Sequence, residues 1–131
     1  MNRLYFPIFF ISLLLIGACS SGKKAYEQGN YYQAVVKAVN RLRSNPNHKK
    51  SKETLEFSYP LAVENAERDV LNVQSSDAPF KYRDILRSYQ RLNSLYEEIR
   101  RAPGALSVVP NPKNYYSKVA EYKDLAAEES Y

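Results

Sequence analysis

The sequence holds no tryptophan, one histidine and one cysteine. A single cysteine cannot close a disulfide within the chain, so no covalent staple contributes to the fold. His48 and Cys19 are too few to build the clustered ligand set of a transition-metal site. Glycine is scarce as well: Gly17, Gly22, Gly29 and Gly104 are all isolated, which excludes a glycine-rich phosphate loop. The adjacent carboxylates Glu97-Glu98 and Glu128-Glu129 point to different sides of a helix and cannot act as a dyad. No nucleophile is paired with a base, so the chain reads as a non-enzyme that needs no cofactor. His48, in a polar run after Pro46-Asn47, reads as exposed, with a structural or neutral role. Glu64 and Arg68, four apart, read as a surface ion pair.

Charge of one sign is not concentrated either. The net charge of +5 falls to +4 without Arg3, and acidic residues are interspersed among the basic ones. His48-Lys49-Lys50, Lys52 and Arg100-Arg101 fall at helix ends, where cations complement helix dipoles or are simply solvated. Nucleic acid is therefore not read as a partner.

What is present begins with the one long apolar run, Leu4 to Ile16, preceded by Met1-Asn2-Arg3 and followed by Gly17-Ala18. A positive start, an apolar stretch and small residues are the order of a secretory signal. Thirteen residues span about 20 Å as a helix, short of the roughly 30 Å hydrocarbon core, so a permanent transmembrane helix is disfavoured. Pro7 disfavours it further.

Leu15-Ile16-Gly17-Ala18-Cys19 resembles the lipobox of bacterial lipoproteins. The resemblance implies that residues 1–18 are a cleaved signal peptide and that Cys19 is the lipid-bearing first residue, carrying diacylglycerol on sulfur and usually an acyl chain on the new amino terminus. Ser20, in place of an acidic retention signal, implies the periplasmic face of the outer membrane. The alternative is ordinary cleavage at Ala18-Cys19-Ser20, releasing a soluble protein. Residues 19–25 then read as a lipidated tether: Ser20-Ser21-Gly22-Lys23-Lys24 is small, polar and basic, and reaches at most about 18 Å. Lys23 and Lys24 either attract anionic lipid or belong to a plain linker.

Residues 26–131 read as one all-α domain of antiparallel hairpins with four helices. The first covers about Tyr31 to Arg43, with Tyr31, Ala34, Val35, Ala38, Val39 and Leu42 inward, and stops before Pro46. The second covers about Lys50 to Val73, burying Leu55, Tyr59, Ala62, Val63, Ala66, Val70 and Val73. Pro60 should kink it or divide it. The third runs from Pro79 to Arg101, capped by Asp77. Tyr82, Ile85, Tyr89, Leu92, Tyr96 and Ile99 alternate spacings of three and four along it. That seam packs inside a monomer or, alternatively, forms a dimer. Ala102-Pro103-Gly104 stops this helix, Leu106 to Val109 connects, and the fourth begins at Asn111-Pro112 with Tyr115, Val119, Tyr122 and Leu125 or Ala126 inward.

Tyr26 to Asn47 resembles the back half of a tetratricopeptide repeat. Gly29 holds the place of the glycine between two antiparallel helices, Tyr31 the aromatic, Ala34 the small residue at the helix approach, and Pro46 the terminating proline. Leu55 and Tyr59 fall where the next repeat would begin. The resemblance implies a scaffold that holds a peptide or a partner helix. Not all the tyrosines can be core, and Tyr32 and Tyr116 are the candidate partner-binding rings. The expected function is thus a membrane-anchored envelope lipoprotein that binds another envelope protein. The alternative is a structural spacer, or the first part of a longer helical-repeat lipoprotein.

Overall fold

The structure, a computed structural model, describes residues 21–131, so the signal segment and Cys19 lie outside the described residues. Six helices and no strand occur among the described residues: α1 (Lys23–Glu27), α2 (Tyr31–Ser44), α3 (Lys49–Gln74), α4 (Lys81–Arg100), α5 (Pro103–Leu106) and α6 (Tyr116–Glu129). The protein is all-α.

α2 forms where its apolar spacing predicts. Asn30 caps it, the side-chain oxygen accepting from the Gln33 N–H at 3.3 Å, and Ala34, Val35, Ala38, Val39 and Leu42 are buried. α3 is capped by His48, whose Nδ1 accepts from the Ser51 N–H at 3.2 Å and lies 2.7 Å from Ser51 Oγ. His48 is accordingly half-buried at a helix start rather than exposed. α3 continues through Pro60 for 26 residues and is not divided. The proline ring is exposed, while Leu55 and Ala62 on either side are held in one core. Burial across the break offsets the lost backbone bond.

Two expected helix starts move. Asp77 does not cap α4; the chain turns through Phe80 in the left-handed region (φ 58°) and α4 begins at Lys81. A tertiary cap replaces the local one, because the Tyr82 N–H donates to Glu129 Oε2 at 3.1 Å, from the far end of α6. The fourth long helix starts at Tyr116 rather than at Asn111-Pro112, and the Tyr116 N–H donates to Asn114 Oδ1 at 2.8 Å. Residues 110–115 stay irregular because they are bonded to α3.

Two short helices were not legible. α5 occupies the expected stop at Pro103-Gly104 and reaches the first residue of the expected connector, and Gly104 within it lets the chain touch the α2–α3 turn: a Cβ there would stand 2.7 Å from Pro46 Cα. α1 occupies the expected tether. A Cβ on Gly22 would stand 2.5 Å from the Ala34 carbonyl oxygen, Gly22 has φ +85°, and Ala25 is buried. The folded body therefore reaches back at least to Gly22, ahead of Tyr26. Gly29, by contrast, has open space around it and is required only for its positive φ of 79°.

α3 and α4 form a long hairpin that carries different partners at its two ends. At one end α2 and α5 close a core of Val35, Val39, Leu42, Leu55, Leu95 and Ile99. At the other, α6 closes a core of Val70, Ile85, Tyr89, Leu92, Tyr115 and Tyr122. The seam of α4 is divided between these two cores, with Ile85, Tyr89, Leu92 and Ile99 buried inside one chain. Tyr82 and Tyr96 meet Tyr122 and Tyr116 of the same chain, at 6.0 and 5.8 Å between ring centroids. The unbroken α3 also runs through the region where a second repeat of the expected kind would turn.

Candidate functional site

The irregular segment before α6 is fastened to α3 by a polar network centred on Glu67. Its Oε1 accepts from Lys113 Nζ at 2.5 Å and from the Tyr115 hydroxyl at 2.8 Å. The Lys113 N–H donates to the Tyr59 hydroxyl oxygen at 2.8 Å, and the Tyr115 N–H donates to Asn93 Oδ1 of α4 at 3.1 Å. About two turns further along α3, Gln74 Nε2 donates to the Tyr122 hydroxyl oxygen at 2.6 Å. These bonds draw α3, α4 and α6 together by their side chains.

The electrostatics follow from that arrangement. The hydrogen bond from Lys113 holds the Glu67 carboxyl below its ordinary pKa, against the opposing pull of burial. Burial pushes the Tyr115 hydroxyl well above the usual tyrosine range, and donation to the Glu67 carboxylate pushes it further. Burial also raises Tyr59 and Tyr89. Tyr115 thus stays a donor and Glu67 an acceptor across the neutral range. This chemistry fastens a loop; it does not activate a nucleophile.

The network forms the wall of a groove on the outer side of α3. One part, about 550 Å³, is lined by Tyr59, Pro60, Val63, Leu71 and the stems of Arg68 and Lys113. The next, about 400 Å³, lies between α3 and α6 over Val70, Tyr89 and Tyr115, with Lys118 at its edge. Glu67, Leu71 and Lys113 belong to both. From Tyr59 to Gln74 the groove follows α3 for about 22 Å at the helical rise. Leu71 is 62 % exposed within it. Glu64 and Arg68 do pair as expected, Oε1 to Nη2 at 2.5 Å, on its rim.

The two candidate rings lie elsewhere. Tyr32 is half-buried under the Arg91 guanidinium, 4.3 Å from its ring centroid. It lines a smaller polar cleft of about 180 Å³ with Asn30, Asn65, Asp69 and Ser88. Tyr116 is 51 % exposed and sits edge-on to Tyr96. The two rings rest on different residues of α4 and do not stack on each other. Gly29, Tyr31, Ala34 and Pro46 serve turns and packing at the α2 end and line no part of the groove. Glu67 and Lys113 escaped the sequence reading because 46 residues separate them; the only local trace was an apolar Tyr59, Val63, Leu71 series wider than one buried face requires.

Among the described residues, no group of three His, Cys, Asp or Glu side chains is placed to hold a metal ion, and no helix is long and apolar enough to cross a membrane. The chain matches no family model, and neither a curated protein nor a solved structure matches it.

Proposed function

We propose that this protein is an envelope lipoprotein, anchored through a lipid on Cys19 at the periplasmic face of the outer membrane, whose helical body binds another envelope protein. The observation that carries the binding half is Leu71, a large apolar side chain left 62 % exposed in an open groove that Pro60 and Val63 also line. A groove that follows α3 for about 22 Å, walled by the segment before α6, has the length of four turns of an amphipathic partner helix. Its mixed rim of Glu64, Arg68 and Lys118 would set register more than affinity. The anchoring half rests on the lipobox-like residues 15–19.

Two measurements on the full chain in its host test the two halves. Intact mass and detergent partitioning of wild type and Cys19→Ala read the anchor: a diacyl or triacyl chain starting at Cys19, lost in the variant, is expected. Mild-detergent extraction reads the partner. Wild type should co-purify with one stoichiometric envelope protein, and Leu71→Glu should release it with helicity and melting unchanged. A chain that purifies alone, or a variant that keeps its partner, ends the groove reading.

A further inference from the structure

Where the chain enters the fold limits how the body can sit on a membrane. Gly22 is fixed against Ala34, and the three residues from Cys19 to Gly22 reach at most about 11 Å. A lipid on Cys19 therefore holds the bilayer surface against the side of the molecule built by α1 and the first turns of α3. That side carries an exposed aromatic. Phe57 is 52 % exposed, and the half-buried ring of Tyr26 from α1 lies beside it, 6.5 Å between centroids.

The surroundings suit a bilayer interface. Phe57, Tyr26 and Lys50 line a shallow recess with Lys23, which pairs loosely with Glu27 at 3.8 Å. Lys24 and Lys49 flank it in the chain, and both are exposed. Glu27 and Glu53 also line it, so the recess itself holds two lysines and two carboxylates; the flanking Lys24 and Lys49, against Glu56 beside Phe57, leave the surroundings positive. Lysine stems can lie along the apolar rings with their charges at the headgroup level, while the aromatic rings enter below them.

We infer that the Phe57 and Tyr26 face is a bilayer-seating surface, inserted into the headgroup region beside the Cys19 lipid, which fixes the orientation of the body on the membrane. This rests on the anchoring proposed above. A flexible tether would let the module tumble; a seated one holds α4 and α6 in a fixed relation to the membrane.

The absence of tryptophan supplies the probe. Phe57→Trp gives a single-tryptophan protein with the reporter at the seat. Tyr131→Trp places it at the far end, where Ser130 meets Arg83 of the first turn of α4. Each full-length lipidated variant is reconstituted into phosphatidylethanolamine and phosphatidylglycerol vesicles, with and without brominated acyl chains. The seat predicts that Phe57→Trp loses most of its emission to brominated lipid and shifts to the blue, while Tyr131→Trp does neither. Circular dichroism checks that both variants keep the wild-type helicity. If lipidated, vesicle-bound Phe57→Trp is unquenched, or both variants are quenched alike, the seat is refuted and the anchor stands. If mass analysis finds no lipid and the chain stays off the vesicles, the anchor reading fails and the seat with it.

Discussion

Tyr89 of α4 and Tyr122 of α6 pack ring against ring, 5.4 Å between centroids, and Tyr115 closes on the other side of Tyr89 at 5.7 Å. Tyr82 and Tyr89, spaced by seven along α4, thus meet Tyr122 of α6 and, for Tyr89, Tyr115 just ahead of that helix. Residues that could have zipped two copies together are occupied within one.

This arrangement predicts the response of the seam to substitution. Leu92 is 2 % exposed between α4 and its neighbours. Leu92→Ala should destabilise the fold by about 3 kcal/mol, and Leu92→Asp should unfold it. Thermal melting by circular dichroism measures both. A folded Leu92→Asp chain that merely changes its size in solution would mean that the seam belongs to a dimer.

The Glu67 network should contribute modestly. Its carboxylate is partly solvated, with the side chain 38 % exposed. Glu67→Gln is expected to cost about 1 kcal/mol after allowance for screening, and Tyr115→Phe about the same. Because both lesions share one set of bonds, the double variant should cost less than the sum of the two. Urea titration of the three chains reads this directly, and strict additivity would show that the bonds act independently.

The same groups set a dependence on pH. The folded Glu67 carboxyl lies below its ordinary 4.5, so its contribution is present above that value and fades as the pH falls through the folded one. For Tyr115 the folded hydroxyl lies above its ordinary 10.0. Its contribution is whole below that value and declines as the pH climbs past it. Glu67→Gln should flatten the acid limb of the stability profile and Tyr115→Phe the alkaline limb. Unchanged limbs would remove the network from the account.

The glycines should rank by cause. Gly29→Ala meets only the positive φ and should cost about 1 kcal/mol. Gly104→Ala meets only Pro46, with the nearest backbone atom at 2.7 Å, and must shift α5 against the α2–α3 turn. Gly22→Ala meets both a positive φ and the Ala34 carbonyl at 2.5 Å, so it should be the most damaging of the three and should loosen α1. Melting temperatures give the order, and hydrogen exchange at Ala25 and Tyr26 shows whether α1 detaches.

What the sequence determined by itself is local. Spacings of three and four, with Asn30 and Pro46 as punctuation, are enough to place α2 and its buried face, because a helix writes its own period into the chain. α3 was legible in its extent but not in its unity. Pro60 argues for a kink or a division wherever the helix stands alone, and packing on both sides of it keeps α3 undivided. The starts of α4 and α6 moved for a related reason: Glu129 caps α4 from the other end of the chain, and the Glu67 bonds hold residues 110–115 out of the helix. Tertiary structure alone chose which tyrosines face one another, brought Lys113 to Glu67, left Leu71 uncovered and drew Gly22 onto Ala34. Periodicity says which side of a helix is apolar, but it carries no record of what that side meets, since those meetings join residues far apart in the chain.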